Sequence, residues 1–341
     1  MNRAYKSILY LMTAALLLIM AACGGLINDD EGDCAPYNYL KIKYTMNTVN
    51  ADALDSQVEK LTIYIYQNDH LLQQQEILTS DMPQGNLIPL CNKDFKPGKY
   101  HIVVKGGSVT TDDDFHTQTT RSEERLQDLT CRMRRAADNT VNYKCQPLFY
   151  GSTDIELKDE EGSHVYVVDL TKDTNDIVII LQSTTENADL EKYSCTITYD
   201  NGLLDYQNNK IGNEQLTYIP YKSKIAEAGM TIYEDGEAQY QKMGALASHF
   251  RLSRLFAGTN PIFHLYVRNE DGTTTENIRI PLIDYILLTR DKYKASTVQE
   301  LLDREDHYNM TFFLQGSYLA STIYINDWRY IVHKDIVIGR Q

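Results

Sequence analysis

The sequence predicts a mainly β chain, folded as two antiparallel β-sandwich domains with a few short helices, on three grounds. Tyrosine occurs 25 times against 8 Phe and 1 Trp, and Tyr, Thr, Ile and Val favour half-exposed pleated surfaces. Short runs alternate apolar and polar residues with a period of two. Turn-forming residues separate those runs at intervals that leave little room for long helices. The 341 residues exceed what one core usually serves, so two domains are expected, at 37–187 and 188–341.

In the first domain, Tyr39-Leu-Lys-Ile-Lys-Tyr44 and Leu61-Thr-Ile-Tyr-Ile-Tyr66 read as strands with one buried face, the second running into the turn residues Asn68 and Asp69. The turn Lys96-Pro-Gly98 leads into a strand at Tyr100–Val104, and Val165–Leu170 and Ile177–Leu181 continue the series. Between them, Ser122–Ala137 places Leu126, Leu129 and Met133 at helical spacing, with Ser122 as cap and Glu124 and Arg125 exposed, which predicts a helix.

The polar stretch Ser183–Ala188 marks the domain boundary, ahead of a strand at Tyr193–Tyr199 that closes on Asp200-Asn-Gly202. Further strands are expected at Leu216–Tyr221, at Ile262–Arg268 before the turn Glu270-Asp-Gly272, and at Ile278–Ile283. Tyr308–Leu314, Thr322–Asn326 and Tyr330–Val332 complete the set, with Ile336–Ile338 as a short apolar tail. A second helix is expected after Ser296 as N-cap, with Val298, Leu301 and Leu302 on one face and Glu300, Asp303 and Arg304 on the other.

Ahead of the domains stands a leader. Arg3 and Lys6 precede an apolar run from Ile8 to Met20, and the small residues Ala21 and Ala22 lead to Cys23. That is the layout of a cleavable export signal over residues 1–22. The run falls short of the roughly twenty residues that cross a bilayer, and no later window approaches that length. A cysteine directly after such a run resembles the lipobox of bacterial lipoproteins, with Met20 standing where the pattern prefers Leu. The resemblance implies that Cys23 carries diacylglycerol and that its amine is acylated, as by palmitate, because several chains anchor stably where one does not. Residues 23–36, with Asp29, Asp30, Glu31 and Asp33, read as a solvated acidic tether.

The formal charge of −14 falls to −16 without Arg3 and Lys6, which argues against binding nucleic acid or anionic lipid through a basic face. Beyond Cys23 the cysteines are Cys34, Cys91, Cys131, Cys145 and Cys195, an odd set that permits at most two disulfides in unassigned pairing. Their spacing without partnering His is unlike a zinc site, and no cofactor or metal is implied.

No phosphate-binding loop, dinucleotide fingerprint, nucleophile elbow or HExxH occurs, so no catalytic residues are assigned. Asp112-Asp-Asp114, followed by Phe115 and His116, could offer hard oxygen ligands but lacks the spacing of a calcium loop, and reads as a solvated loop. The run Asp303-Arg-Glu-Asp306 could supply an acid pair for glycoside cleavage, and reads instead as a solvated cluster of ion pairs. His101 and His264 lie in strand runs as structural, hydrogen-bonded residues; His70, His164, His249, His307 and His333 are scattered. Trp328 reads as a core residue of the terminal hairpin rather than a sugar-stacking platform.

Several strings occur in order: Asp29-Asp-Glu-Gly-Asp-Cys34, Leu40–Tyr44 with Asn47, Ala51-Asp-Ala53, Val58, Leu61–Tyr66, Pro97–Val104, Leu148–Gly151, Leu301–Asp306, Tyr308–Phe312 and Ile325–Trp328. In this combination the chain resembles the FimB-like fimbrial anchor lipoproteins of the Bacteroidales, the partners of type V pili. The resemblance implies transthyretin-like sandwiches, outer-membrane attachment through Cys23, surface exposure and binding of pilin subunits at the base of a fimbrium. Pili of this kind grow by strand exchange, in which an extended segment completes a neighbour's sheet. Two departures stand out: Gly106-Gly-Ser108 occupies a place where the family often has a tryptophan, and Cys91 is an extra candidate partner for Cys34. The competing readings are a glycan-binding surface lipoprotein, a tip-like adhesin, and an exported hydrolase resting on the acids near Asp303.

Overall fold

The structure, a computed structural model, describes residues 37–83, 85–90, 95–118, 125–183, 189–234, 237–288, 297–315, 318–325 and 328–331. The first half of the chain supplies β1 (Tyr37–Met46), β2 (Lys60–Gln67), β3 (His70–Leu78), β4 (Leu87–Pro89), β5 (Gly98–Gly107), β6 (Phe115–Gln118), β7 (Thr130–Met133), β8 (Thr140–Val141), β9 (Leu148–Leu157) and β10 (Ser163–Lys172). The second half supplies β11 (Thr174–Ser183), β12 (Tyr193–Tyr199), β13 (Leu203–Leu204), β14 (Leu216–Tyr218), β15 (Lys222–Glu234), β16 (Glu237–Ser253), β17 (Ile262–Arg268), β18 (Thr274–Pro281), β19 (His307–Gln315), β20 (Tyr318–Ile325) and β21 (Trp328–Ile331). Among the described residues four short α-helices accompany them: α1 (Leu54–Gln57), α2 (Thr111–Asp114), α3 (Leu282–Leu287) and α4 (Val298–Arg304). The protein is mainly β, as its composition predicts.

Seven strands in the order β3-β2-β5-β9-β10-β1-β4 form the first sheet. It folds back on itself where β9 meets β10, since only Tyr150↔Thr171 and Phe149↔Lys172 pair there. Leu40 and Ile42 from one limb then pack with Leu61, Ile63, Ile102 and Phe149 from the other in a single core. Gly151 sits at that fold: a Cβ there would lie 2.7 Å from Val168 Cγ1 and 2.9 Å from the Asp169 carbonyl oxygen. Gly151→Ala should therefore cost about 1–3 kcal/mol by overpacking, measurable as a lower urea midpoint. Strand β1 buries one face as expected, but β2 is buried from Leu61 to Tyr66 on both faces. Leu126 and Leu129 cover its outer side, against Tyr64, Tyr66 and Val103.

That covering segment corrects the expected helix over Ser122–Ala137. Leu126 lies in a 3₁₀ turn over Leu126–Asp128 and Met133 in strand β7, paired with β6 and β13. Residues three and four apart also recur on one side of a turn-plus-strand, and pairing from distant strands decides between the two. Ser122 and Glu124 lie outside the described residues.

Two further sheets, β15-β16-β11-β19-β20-β21 and β18-β17-β12-β14-β8, face each other across the largest core. Phe263 on β17 stacks on Phe312 on β19, with ring centroids 5.9 Å apart. Strand β11, read from sequence with the first half, is central here: β16 and β19 flank it. The expected strand at Ile278–Ile283 stops at Pro281, where α3 begins and buries Leu282, Ile283, Tyr285 and Ile286. Helix α4 is capped by Thr297, whose hydroxyl accepts the Glu300 N–H at 3.0 Å; Ser296 and the tail Ile336–Ile338 lie outside the described residues.

Candidate functional site

Every open sheet ends in strands whose outer backbone groups lack a ladder, and such edges are ready templates for another chain. In the six-stranded sheet the terminal strand on one side is β21, which pairs with β20 through Thr322↔Ile331 to Ile325↔Trp328. Among the described residues no strand pairs with its other side. Two strands further in, β19 alternates: Tyr308, Met310, Phe312 and Leu314 are buried in the core shared with the facing sheet. Trp328 belongs to β21, and its side chain lies outside the described residues.

The acidic run at the end of α4 is not a solvated cluster. Asp303 is buried and accepts both Arg254 Nε at 3.0 Å and Nη2 at 2.8 Å, with Gln299 Nε2 at 2.8 Å. Asp306 pairs with Lys172, the last residue of β10. Arg304 donates to Glu300 at 2.8 Å and also reaches the carbonyl oxygens of Thr45 and Asn47 in the first sandwich, at 3.4 and 3.3 Å. The run thus forms a seam between the sandwiches, invisible from sequence because its partners come from remote strands.

At the centre of the seam is Asp173, the one residue between β10 and β11 and fully buried. Its N–H donates to the Leu148 carbonyl at 2.7 Å, and its Oδ1 accepts Asn208 Nδ2 at 2.9 Å. Arg254 comes no nearer than 3.7 Å, because it is committed to Asp303 and the Asn208 carbonyl. Burial pushes the Asp173 carboxyl up to about 7, and attraction to Arg254 only partly opposes this. The adjoining cavity, of about 20 Å³, has room for about one water molecule.

The other sequence candidates resolve as structural groups. Asp112 pairs with Lys60 at 2.6 Å and Lys105 at 2.8 Å. Burial raises its pKa, but the hydrogen bonds from Lys105 and Lys60 outweigh that and hold it below the ordinary carboxylate value. Buried Asp114 is tied to Arg134 at 2.7 Å and to the Gln146 N–H at 2.8 Å, so two of the three acids are ion-paired; Asp112 and Asp113 are both exposed, as a solvated loop requires. No cluster of metal-type ligands forms among the described residues. His101 Nδ1 lies 2.7 Å from Asp154, and His264 lies between Thr198 and Glu276. Cys131, Cys145 and Cys195 are free thiols, pushed by burial to about 11, 12 and 11. Cys23, Cys34, Cys91 and His333 lie outside the described residues, and no described helix is long and apolar enough to cross a membrane.

A groove of about 490 Å³ is lined by Asn68, Asp69, Lys99, His101, Asp154 and Glu156 with Tyr66 and Tyr100. Both tyrosines are buried, at 1% and 3% exposure, so neither ring offers a face for stacking. Among the described side chains Tyr37 is the one exposed aromatic.

A profile of the fimbrillin-A associated anchor proteins Mfa1 and Mfa2 matches residues 30–334. No curated protein matches the chain. A solved structure of a candidate adhesin from Bacteroides thetaiotaomicron is 27% identical, with a TM-score of 0.73 over 89% of this chain and 100% of its own. A candidate polysaccharide-binding protein from the same organism is 24% identical, with a TM-score of 0.71 over 87% and 98% of the two chains. The fimbrial anchor protein Mfa2 from Porphyromonas gingivalis shares the fold at 16% identity, with a TM-score of 0.63 over 88% and 100%. The profile spans both sandwiches, and the chain belongs to the family of fimbrillin-A associated anchor proteins Mfa1 and Mfa2.

Proposed function

We propose that this protein is an outer-membrane lipoprotein, held by acyl chains on Cys23, that seats the base of a fimbrium by binding a pilin subunit through β-strand complementation. The observation that carries the reading is the edge at β21. It is a terminal strand of a sheet whose next strand but one, β19, alternates buried Tyr308, Met310, Phe312 and Leu314. An extended pilin segment laid along such an edge gains main-chain hydrogen bonds. The acidic tether over 23–36 spaces this surface from the lipid. In the open groove, Tyr66 and Tyr100 are buried and offer the glycan-binding reading no stacking face there.

Cys23→Ala should release fimbriae into the medium, scored by electron microscopy and by blotting of cells and supernatant. Fimbriae that stay cell-bound would contradict the anchor. Deleting residues 322–341 should abolish capture of purified pilin, whereas unchanged capture would remove the docking role of this edge.

A further inference from the structure

Antiparallel neighbours arise from simple hairpins, whereas parallel neighbours need a crossover. Among the described strand pairs only three are parallel: β1 with β10, β11 with β19, and the two-residue contact of β8 with β14. The two long ones lie on the route that tension would take. A pull on residues 23–36 enters the first sandwich at Tyr37, the N-terminal end of β1. By covalent continuity it reaches the second sandwich from the C-terminal end of β10, through Asp173 into β11.

Strands β1 and β10 run side by side through eight register pairs, from Tyr37↔Ser163 to Met46↔Thr171. Pulling parallel neighbours from opposite ends slides one along the other, so the rungs are strained together instead of opening one at a time. Side chains reinforce the far end: Thr45 N–H donates to Asp169 Oδ1 at 2.8 Å, and Lys43 pairs with Asp169 at 3.1 Å. Beyond the join, Lys172–Asp306 and Arg304 to the Thr45 and Asn47 carbonyls bind the sandwiches together. The geometry then repeats, because β11 is loaded at its N-terminal end and lies parallel to β19 from Asp176↔His307 to Ser183↔Leu314.

We propose that the β1–β10 ladder is a shear clamp, a mechanical element that carries tension from the N-terminal tether into the second sandwich. The inference rests on the reading that residues 23–36 form a loaded, lipid-held tether. It assigns to the parallel pairs a function that binding a pilin does not itself require.

Single-molecule pulling on the full mature chain tests it without altering the clamp. One handle is placed at residue 23 and the other at exposed Glu270, in the second sandwich, or at exposed Glu161, just before β10. The first arrangement shears β1 against β10; the second peels them from a shared end. The first sandwich should yield at a severalfold higher force with the handle at 270 than at 161, since forced opening reports the unfolding barrier along the pulled direction. Opening of the second sandwich before the first, with the handle at 270, also supports the clamp. Equal forces in the two arrangements, identified by the length of chain released, would overturn it. That result would leave anchoring untouched, since Cys23→Ala decides anchoring separately.

Discussion

Arg254→Ala should destabilise the protein by about 3–5 kcal/mol, because it removes the cation from between two buried carboxylates. The guanidinium is the bidentate partner of Asp303 and the nearest positive charge to Asp173; side-chain exposure of the three is 13%, 10% and 0%. It also donates to the Asn208 carbonyl at 2.7 Å, and Asn208 in turn holds Asp173. One truncation therefore strands two acids and loosens the loop that supports one of them. The loss should appear as a lower urea midpoint. Adding Asp303→Leu should recover part of it, since an apolar side chain replaces one of the stranded charges. A midpoint within experimental scatter of the wild type would mean that the seam contributes nothing to stability.

Asp173 gives the protein a stability that falls as pH rises through neutrality. Its folded pKa is raised from 3.8 to about 7, so between those values the folded state binds more protons than the unfolded chain. The contribution is fully present below about pH 4 and is lost as pH climbs through 7. The rise from 3.8 to about 7 sets a ceiling of about 4 kcal/mol. Asp176 acts in the opposite sense: burial raises its pKa, but hydrogen bonds and charge from Arg251 dominate and hold it low, so its contribution is lost on acidification. Asp173→Asn keeps an oxygen for the Asn208 amide and removes the titration. Between pH 8 and pH 5 the wild type should therefore gain thermal stability relative to Asp173→Asn, and parallel melting curves across that range would refute the assignment.

Much of the sheet structure was legible because strand alternation is a local property. Tyr39–Tyr44, Tyr100–Val104, Tyr193–Tyr199, Ile262–Arg268 and Tyr308–Leu314 all fall within observed strands. The β15–β16 hairpin escaped notice. Residues 222–227 are exposed throughout, so neither face carries an apolar signal, and pairing with β16 is what makes them a strand. Leu126, Leu129 and Met133 misled for a related reason: their spacing fits a helix, and only the ladders to β6 and β13 make Met133 part of a strand.

By itself the sequence determined the mainly β class, most core strands, and the resemblance that the family match bears out. Each of these depends on residues close together in the chain. Only the tertiary structure decided which sheet β11 joins, that β21 ends the six-stranded sheet among the described residues, and that Arg254 and Asp306 meet Asp303, Asp173 and Lys172 in a largely buried seam rather than as solvated charges. A charged residue reads as exposed until its counter-charge is located, and here the partners stand up to 134 positions apart, as Lys172 and Asp306 do. Parallel pairing is hidden in the same way, because no local pattern records which distant strand will lie alongside.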